Sequence, residues 1–268
     1  MNKLPTVFID IDNTLIVPKT TLSKENFTAI NNYVQSGGEI VFATGKMYIS
    51  MIEHIQNLNI SDRYHIASNG ALVFNYDQDE YLKGYQVQEE AKEVMDYCDK
   101  NGIFYFVSTK DKIFYTDINY DGSHDLDFTL IGEAQPEYST YIDYKEIVKL
   151  IFIADINDVV FENTLKEGLK PYMINTRIIR TASYLLELHN INQTKYEGAK
   201  KYCELHSIDL NDCYAIGDSE NDLPLLQNVG HPYIVENAAD KLKNYNFKVL
   251  PSCKDNGVAY ILNQLLAR

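Results

Sequence analysis

The chain has 268 residues, 45% of them apolar, and its 38 acidic and 24 basic residues give a net charge of −14. This composition excludes a disordered or fibrous protein and is sufficient for one large core or two smaller ones. The negative charge would repel a nucleic-acid backbone or an anionic membrane, so we expect neither as a partner. No apolar stretch is long enough to span a bilayer, and we expect a soluble, unprocessed chain.

The first predicted element is a buried strand that ends in two aspartates. Residues 6–14 read TVFIDIDNT, in which an apolar run leads to Asp10 and Asp12. Residues i and i+2 of an extended chain point to the same side, so these two carboxylates can face one small volume. Like charges that are partly desolvated are unfavourable unless a cation or a shared proton compensates them. By itself, this stretch is equally compatible with a turn carrying two solvated aspartates.

A helix and two further strands follow in the next 60 or so residues. Ser23 predicts the N-cap of a helix to Gln35, with Phe27, Ile30 and Val34 on its inner face. Strands are predicted in EIVFATGK and over 64–67, the latter followed by a Ser-Asn-Gly turn. The alternation of strands and helices predicts a doubly wound parallel sheet.

The second strand ends in Thr44, Gly45 and Lys46, at the predicted start of the next helix. Backbone N–H groups at a helix start, with a hydroxyl beside them, are suited to holding phosphate oxygens. Taken alone, the segment favours a plain strand-to-helix turn.

The pattern changes after Leu82. Helices are predicted over 89–100 and 158–169. Strands are predicted over 149–154, 173–180 and 183–188, and two more strands flank a turn at 110–112. Residues 120–144 are predicted to be loops with some short element. This grouping indicates an α+β domain inserted at 83–188, with residues 1–82 and 189–268 forming the parallel-sheet core.

The parallel-sheet pattern returns at Thr194. A helix is predicted from Lys195, then a strand over 213–216, and the loop after it carries Asp218, Asn221 and Asp222. Carboxylate and amide oxygens suit Mg²⁺, whereas the spacing excludes an EF-hand calcium loop. A solvated acidic turn would explain this loop alone, but two acidic clusters at one edge of a sheet favour a shared site.

The cysteines and histidines indicate no other metal site. The four cysteines have no CxxC spacing and the six histidines form no HxxxH or HxH pair. We therefore expect neither zinc nor a disulfide framework, and reduced thiols in a cytoplasmic protein are the simplest interpretation.

Together these segments resemble a known family. Their order and strand-end placement are similar to the four motifs of the haloacid dehalogenase superfamily of phosphotransferases: DIDNT (Asp10, Asp12, Thr14), ATGK (Thr44), Lys195 and GDSEND (Asp218, Asn221, Asp222). Residues 68–71, 186–188, 237–238 and 255–258 further resemble its Cof-type branch of sugar-phosphate phosphatases. The chain departs from that branch at Lys46, Tyr196 and Glu236, where arginine, glycine and glycine are usual.

The resemblance implies a Rossmann-like α/β core with an inserted α+β cap and a Mg²⁺ cofactor. It implies that the metal is held by the Asp10 carboxylate, the Asp12 backbone carbonyl and Asp218, with Asp222 and Asn221 bracing the site. Asp10 would then be the nucleophile that forms an aspartyl-phosphate, and Asp12 the general acid and base.

The phosphoryl group would be held, by the same resemblance, by Thr44, Gly45, Lys195 and Asn221. The expected function is hydrolysis of a small phosphorylated metabolite, most simply a sugar phosphate. Two alternatives remain open: a phosphomutase, and a non-catalytic phosphoacceptor or binding protein. Asp12 argues against the second, because a general acid is of no use to a slow phospho-switch. The sequence predicts neither the particular substrate nor the oligomeric state.

Overall fold

The computed structural model describes residues 4–17, 20–84, 86–116, 128, 134–155, 157–182 and 184–268. The chain divides into two compact units, one formed by residues 1–84 and 194–268 and the other by residues 85–193. The sequence predicts an inserted domain over 83–188, and the separate roles of the two units remain a prediction.

Strands and helices alternate in the first unit except for three consecutive strands over 64–83, whereas several strands of the second unit directly follow another strand. The strands in chain order are β1 Thr6–Ile9, β2 Glu39–Phe42, β3 Tyr64–Ala67, β4 Leu72–Asn75, β5 Glu80–Lys83, β6 Phe106–Ser108, β7 Ile113–Tyr115, β8 Pro136–Tyr138, β9 Lys149–Ile153, β10 Thr176–Ala182, β11 Leu185–Asn190, β12 Tyr214–Gly217, β13 His231–Val235 and β14 Lys248–Leu250. The α-helices are α1 Lys24–Gln35, α2 Ile52–Asn57, α3 Gln88–Asn101, α4 Val159–Leu169, α5 Lys195–His206, α6 Leu223–Leu226, α7 Asp240–Lys243 and α8 Gly257–Leu266.

The first unit is built on a five-stranded sheet in the order β14-β13-β12-β1-β2, with every neighbouring pair parallel. All four residues of β1 are buried, as are all four of β12. Strands buried on both faces are continuous apolar runs, which is why they could be predicted from short apolar segments. The predicted α/β class with a parallel sheet is confirmed.

The third strand departs from the prediction that it continues this sheet. β3 pairs antiparallel with β4, and β4 with β5, in a separate three-stranded sheet. A single parallel bridge, Ala43 to Ile66, joins it to the end of β2. The short turn from Ser68 to Ala71 brings β4 back beside β3 as an antiparallel partner, so β3 has only this short parallel contact with β2.

Helix α1 is rotated from its predicted orientation. Its N-cap is Ser23 as predicted, but Phe27 is 40% exposed, whereas Asn26 is buried. The Asn26 side chain donates to Leu15 O at 3.0 Å and accepts from the backbone N–H of Ala259 at 2.9 Å. A buried amide needs its hydrogen bonds, so these two contacts select the buried face of the helix.

The second unit contains a six-stranded sheet in the order β10-β11-β9-β6-β7-β8, antiparallel except for the β7–β8 pair. The inner face of α3, with Ala91, Val94, Met95 and Cys98, packs in one core with Leu165 and Leu169 of α4 and with side chains of β9 and β11. Most of the stretch from 120 to 144 lies outside the described residues. Its described part contains β8 and a helical turn at Tyr144–Glu146.

A charged group is buried within that second unit. Glu187 of β11 lies between Leu186 and Leu188, and its carboxylate contacts Lys149 Nζ at 2.8 Å and His189 Nε2 at 2.7 Å. Burial alone would raise the pKa of Glu187, but these two neighbours outweigh it and hold the pKa at about 2. Glu187 is therefore a paired, ionised carboxylate.

Among the described residues, none of the helices combines the length and the apolar character needed to cross a bilayer.

Candidate active site

The candidate active site lies at the carboxyl ends of three parallel strands of the first unit. Asp10 directly follows β1, Thr44 lies two residues beyond β2, and Asp218 directly follows β12. The backbone N–H of Asp10 donates to Ile216 O at 3.0 Å, which holds Asp10 beside β12. Because β1 lies between β2 and β12, the three loops converge at one edge of the sheet.

Three buried carboxylates and one buried lysine form the centre of this site. Carboxylate oxygens of Asp10, Asp218 and Asp222 lie within 4.8 Å of one another. The Lys195 ammonium, which is fully buried, lies 2.5 Å from Asp10 Oδ1 and 2.6 Å from Asp222 Oδ1. Three carboxylates against one ammonium leave an excess of negative charge, and such an oxygen-rich cluster suits a hard cation.

The loop after β12 is held in shape by Asp222. Its Oδ2 accepts hydrogen bonds from the backbone N–H groups of Asp218 at 2.9 Å and Ser219 at 3.0 Å. Glycine is required at position 217, since a Cβ there would lie 2.4 Å from Asp222 Cγ. From the loop after β1, Thr14 Oγ1 donates to Asp218 Oδ1 at 3.1 Å. The protein itself therefore orients the Asp218 carboxylate.

Burial dominates the pKa values of these groups. Burial raises the pKa of Asp10 well above the usual range. Lys195 lowers this pKa, whereas the charges of Asp222 and Asp218 raise it further. Burial also raises the pKa of Asp218 to about 6, with the charge of Asp222 as the second cause. Burial would lower the pKa of Lys195, but Asp10 and Asp222 outweigh it and raise that pKa, so the lysine stays charged. Carboxyls that resist ionisation beside a charged lysine indicate a site short of positive charge.

Asp12 stands apart from this cluster. Its carboxylate pairs with Lys46 Nζ at 3.1 Å, and 38% of its side chain is exposed. The regular strand ends at Ile9, and the chain turns at Asn13, where φ is 58°, before Ile16 forms an isolated bridge with Asp12. The Asp12 side chain therefore has a different partner and a more open environment than the buried carboxylates.

The loop after β2 does not begin a helix at the predicted place. Thr44 is buried and its Oγ1 accepts from the backbone N–H of Lys46 at 3.2 Å. The first helical turn begins only at Tyr48, and α2 only at Ile52. The carbonyl of Lys46 is engaged by the backbone N–H of Ser68 at 2.7 Å, which ties the loop to the end of β3. The loop is thus held by a neighbouring strand rather than by a helix start.

Gly45 and Asn221 meet at a residue to which the sequence motifs assign no role. Asn221 Nδ2 donates to Asn69 Oδ1 at 3.0 Å. A Cβ on Gly45 would lie 3.2 Å from Asn69 Oδ1 and 3.4 Å from Asn221 Nδ2, so glycine allows this close approach. The resemblance of residues 68–71 to the Cof-type branch is the only sequence signal for Asn69. All the residues of the candidate site thus belong to the first unit.

Comparison with known proteins agrees with this geometry. A family model for haloacid dehalogenase-like hydrolases matches residues 7–262. The 5-amino-6-(5-phospho-D-ribitylamino)uracil phosphatase of Bacillus subtilis is 26% identical over 285 residues, which cover 97% of this chain and 98% of the relative. A solved structure from Thermotoga maritima has a TM-score of 0.84 at 21% identity and covers 97% of each chain. A subclass IIB sugar phosphatase has a TM-score of 0.76 at 19% identity, covering 98% of this chain and all of its own.

The chain therefore belongs to the haloacid dehalogenase-like hydrolase family. The resemblance to this superfamily and its Cof-type branch, identified from the motifs, is confirmed. The match over almost the whole chain, together with relatives that are phosphatases, indicates an enzyme that hydrolyses phosphoric monoesters.

Proposed function

We propose that the enzyme is a Mg²⁺-dependent phosphatase that hydrolyses a small phosphorylated metabolite through an aspartyl-phosphate. The observation that carries this proposal is the cluster of Asp10, Asp218 and Asp222 around the Lys195 ammonium. Phosphoryl transfer to a carboxylate requires a nucleophilic oxygen, compensation of the phosphate charge and fixed positive groups in one small volume. This cluster combines the nucleophile, oxygen ligands for a cation and a fixed ammonium.

The donor set fits Mg²⁺. The three carboxylates offer only oxygen, lie within 4.8 Å of one another and carry more negative charge than Lys195 can balance. We assign the Asp10 and Asp218 carboxylates and the Asp12 backbone carbonyl to the ion, with Asp222 completing the site. When bound, the ion would neutralise charge on the phosphate ester and let a carboxylate approach phosphorus.

Two aspartates divide the chemistry between them. Asp10 attacks phosphorus in line, and the bond between phosphorus and the ester oxygen of the substrate breaks as the aspartyl-phosphate forms. Asp12 gives its proton to the departing alkoxide and then takes one from the water that releases inorganic phosphate. The partly exposed Asp12 carboxylate supports this role, because it can meet both the leaving group and water.

The fixed positive and polar groups hold the phosphoryl oxygens. Lys195 orients Asp10 by direct contact and supplies positive charge beside the transferring group. Thr44, Gly45 and Asn221 would hold the remaining oxygens from two loops. All three lie against Asn69, which supports this assignment.

The substrate we propose is a phosphate ester of a sugar or sugar alcohol. The relative from Bacillus subtilis is named for a phosphorylated ribityl compound, which belongs to this class.

We further propose that the second unit acts as the substrate-selecting cap. With a net charge of −14, neither nucleic acid nor a membrane is proposed as a partner. A cytoplasmic location is supported by four cysteines that are all buried and free.

The proposal is tested by phosphate release from a panel of phosphorylated metabolites, with Asp10→Asn as the control. We expect Mg²⁺-dependent release from the wild-type enzyme and none from Asp10→Asn, because an amide cannot form the intermediate. Transfer to a second hydroxyl, stimulated by a bisphosphorylated sugar, would indicate the mutase instead. A stable phospho-aspartate without turnover would indicate a phosphoacceptor.

A further inference from the structure

The end of β3 has an unusual backbone conformation. Ser68, Asn69 and Gly70 follow one another with φ values of 48°, 52° and 91°. Two consecutive non-glycine residues in the left-handed region are unfavourable, and such strain persists only where the surroundings hold it in place. At Gly70 a Cβ would lie 2.1 Å from Thr194 O, so the chain there packs against the N-cap residue of α5. The segment is thus pressed against the start of the helix that carries Lys195.

Backbone hydrogen bonds connect this segment to the loop after β2. The N–H of Ser68 donates to Lys46 O at 2.7 Å, and the N–H of Asn69 donates to Thr44 O at 2.9 Å. The segment from Ser68 to Gly70 therefore fixes the position of the loop from Thr44 to Lys46. This loop contains two of the residues assigned to the phosphoryl group.

The Asn69 side chain connects the same loop to the loop after β12. Its Oδ1 accepts from Asn221 Nδ2 at 3.0 Å, while Asn221 Oδ1 accepts from Ser219 Oγ at 2.6 Å. Both ends of the Asn221 amide are thereby oriented. The Asn69 amide also lies directly against Gly45, where a Cβ would come within 3.2 Å of Oδ1 and 3.3 Å of Nδ2.

We infer that Asn69 is a positioning residue for phosphoryl transfer, an inference that rests on the proposed function. It acts by holding Asn221 and the Gly45 backbone at a fixed separation, so that both meet the phosphoryl oxygens. The left-handed conformation is retained because it directs the amide between the two loops. A displacement of about 1 Å in such groups can slow a reaction by about a hundredfold.

Glycine substitution separates the side chain from the backbone strain. Asn69→Gly removes the amide and relieves the strain of the positive φ, which offsets the greater conformational entropy that glycine gives the unfolded chain, so we expect little change in stability. Asn59, at the end of α2, has the same φ of 52° and is exposed, which makes Asn59→Gly the matched control. The readouts are kcat and KM for a phosphomonoester, inhibition by orthovanadate and the unfolding temperature.

We expect Asn69→Gly to lower kcat/KM and vanadate affinity by about tenfold to a hundredfold with little change in the unfolding temperature. Asn59→Gly should change neither kinetic quantity. Because Asn69 acts in part through Asn221, Asn69→Gly should lower kcat/KM by a smaller factor in an Asn221→Ala background than in the wild type, as coupled neighbours are not additive. If the two substitutions lowered kcat/KM independently of each other, the inference that Asn69 acts by positioning Asn221 would be overturned.

The two proposals fail in different ways. A wild-type enzyme that hydrolyses phosphate esters while Asn69→Gly matches it in rate and vanadate affinity would overturn only the role of Asn69. If the wild type released no phosphate but bound vanadate, the proposed hydrolysis would fail, and the vanadate affinity of Asn69→Gly would still decide the positioning role. A wild type that neither hydrolysed esters nor bound vanadate would overturn both.

Discussion

The Lys195 ammonium lies 2.5 Å from Asp10 Oδ1, although 185 residues separate the two along the chain. Both side chains are almost completely inaccessible to solvent. The pairing matters because burial and two neighbouring carboxylates raise the pKa of Asp10, and Lys195 opposes that rise. A protonated carboxyl is a poor nucleophile, so in the proposed reaction Lys195 would both orient Asp10 and favour its ionised form.

Replacing Lys195 by methionine should therefore affect stability and activity together. The metal-free Lys195→Met variant should lose about 3–5 kcal/mol of unfolding free energy, the usual effect of removing one partner of a buried pair. Phosphate release should fall and its pH profile should move to higher pH, because Asp10 loses the charge that favours its ionised form. Urea unfolding and a pH–rate profile measure these effects. A variant with the wild-type pH profile would show that Lys195 does not control Asp10.

Mg²⁺ should stabilise the folded protein through the same cluster. A ligand that binds only the folded state adds about 2.7 kcal/mol when its free concentration is about 100 times Kd. We expect the unfolding temperature to rise with Mg²⁺ and this rise to disappear in Asp218→Asn. The matched control is Asp240→Asn, which removes a charge from an almost fully exposed aspartate of the same unit. An equal rise in all three proteins would place the ion elsewhere.

The convergence of Asp10 and Asp218 can be predicted from sequence, because each directly follows a buried parallel strand and such strands end at one edge of the sheet. The contact between Asn69 and Asn221 cannot, because it depends on a left-handed backbone that no pattern prescribes for a non-glycine residue. The Lys46–Asp12 pair likewise depends on the rotamers of two partly exposed side chains.

The orientation of α1 illustrates the same limit for the fold. Helical spacing correctly places Ile30 inside, but it also allows Phe27 to be inside, which the structure contradicts. The buried face includes Asn26, whose partners Leu15 and Ala259 lie in distant parts of the sequence. Local periodicity gives no weight to a buried polar residue, so this rotation follows only from tertiary contacts.

His65 should make the first unit sensitive to acid. It is fully buried, its Nδ1 accepts from the backbone N–H of Phe42 at 3.1 Å and its Nε2 lies 2.9 Å from Ile60 O. The ring is therefore neutral, with its proton on Nε2, and burial lowers its pKa to about 4. An unfolded histidine has a pKa near 6.5, so between these values the unfolded chain binds more protons and stability falls as pH falls.

Between pH 7.5 and pH 5 this single group should cost about 2 kcal/mol of unfolding free energy. We expect His65→Gln to be less stable than the wild type at pH 7.5. Because glutamine does not titrate, the variant should lose less unfolding free energy than the wild type when the pH falls to 5. Urea unfolding of both proteins at the two pH values provides the comparison. Parallel losses in the two proteins would assign the acid sensitivity to other groups.

Asp12 should control the leaving group rather than the fold. Its ion pair with Lys46 is partly exposed, so Asp12→Ala should change stability by less than about 1 kcal/mol. A sugar alkoxide is a poor leaving group that needs a proton, whereas a nitrophenolate leaves without one. Formation of the aspartyl-phosphate should therefore slow by about 10²- to 10⁴-fold for a sugar phosphate and much less for nitrophenyl phosphate.

Single-turnover kinetics of Asp12→Ala can separate the two steps. Nitrophenyl phosphate should give a burst of nitrophenolate followed by a nearly stalled enzyme, because the base that activates water for the second step is missing. Asp10→Asn should give no burst with either ester, which confirms that the burst reports the covalent intermediate. If Asp12→Ala slowed the first step equally for both esters, its contribution would be electrostatic, since a proton donor must discriminate between leaving groups of different basicity.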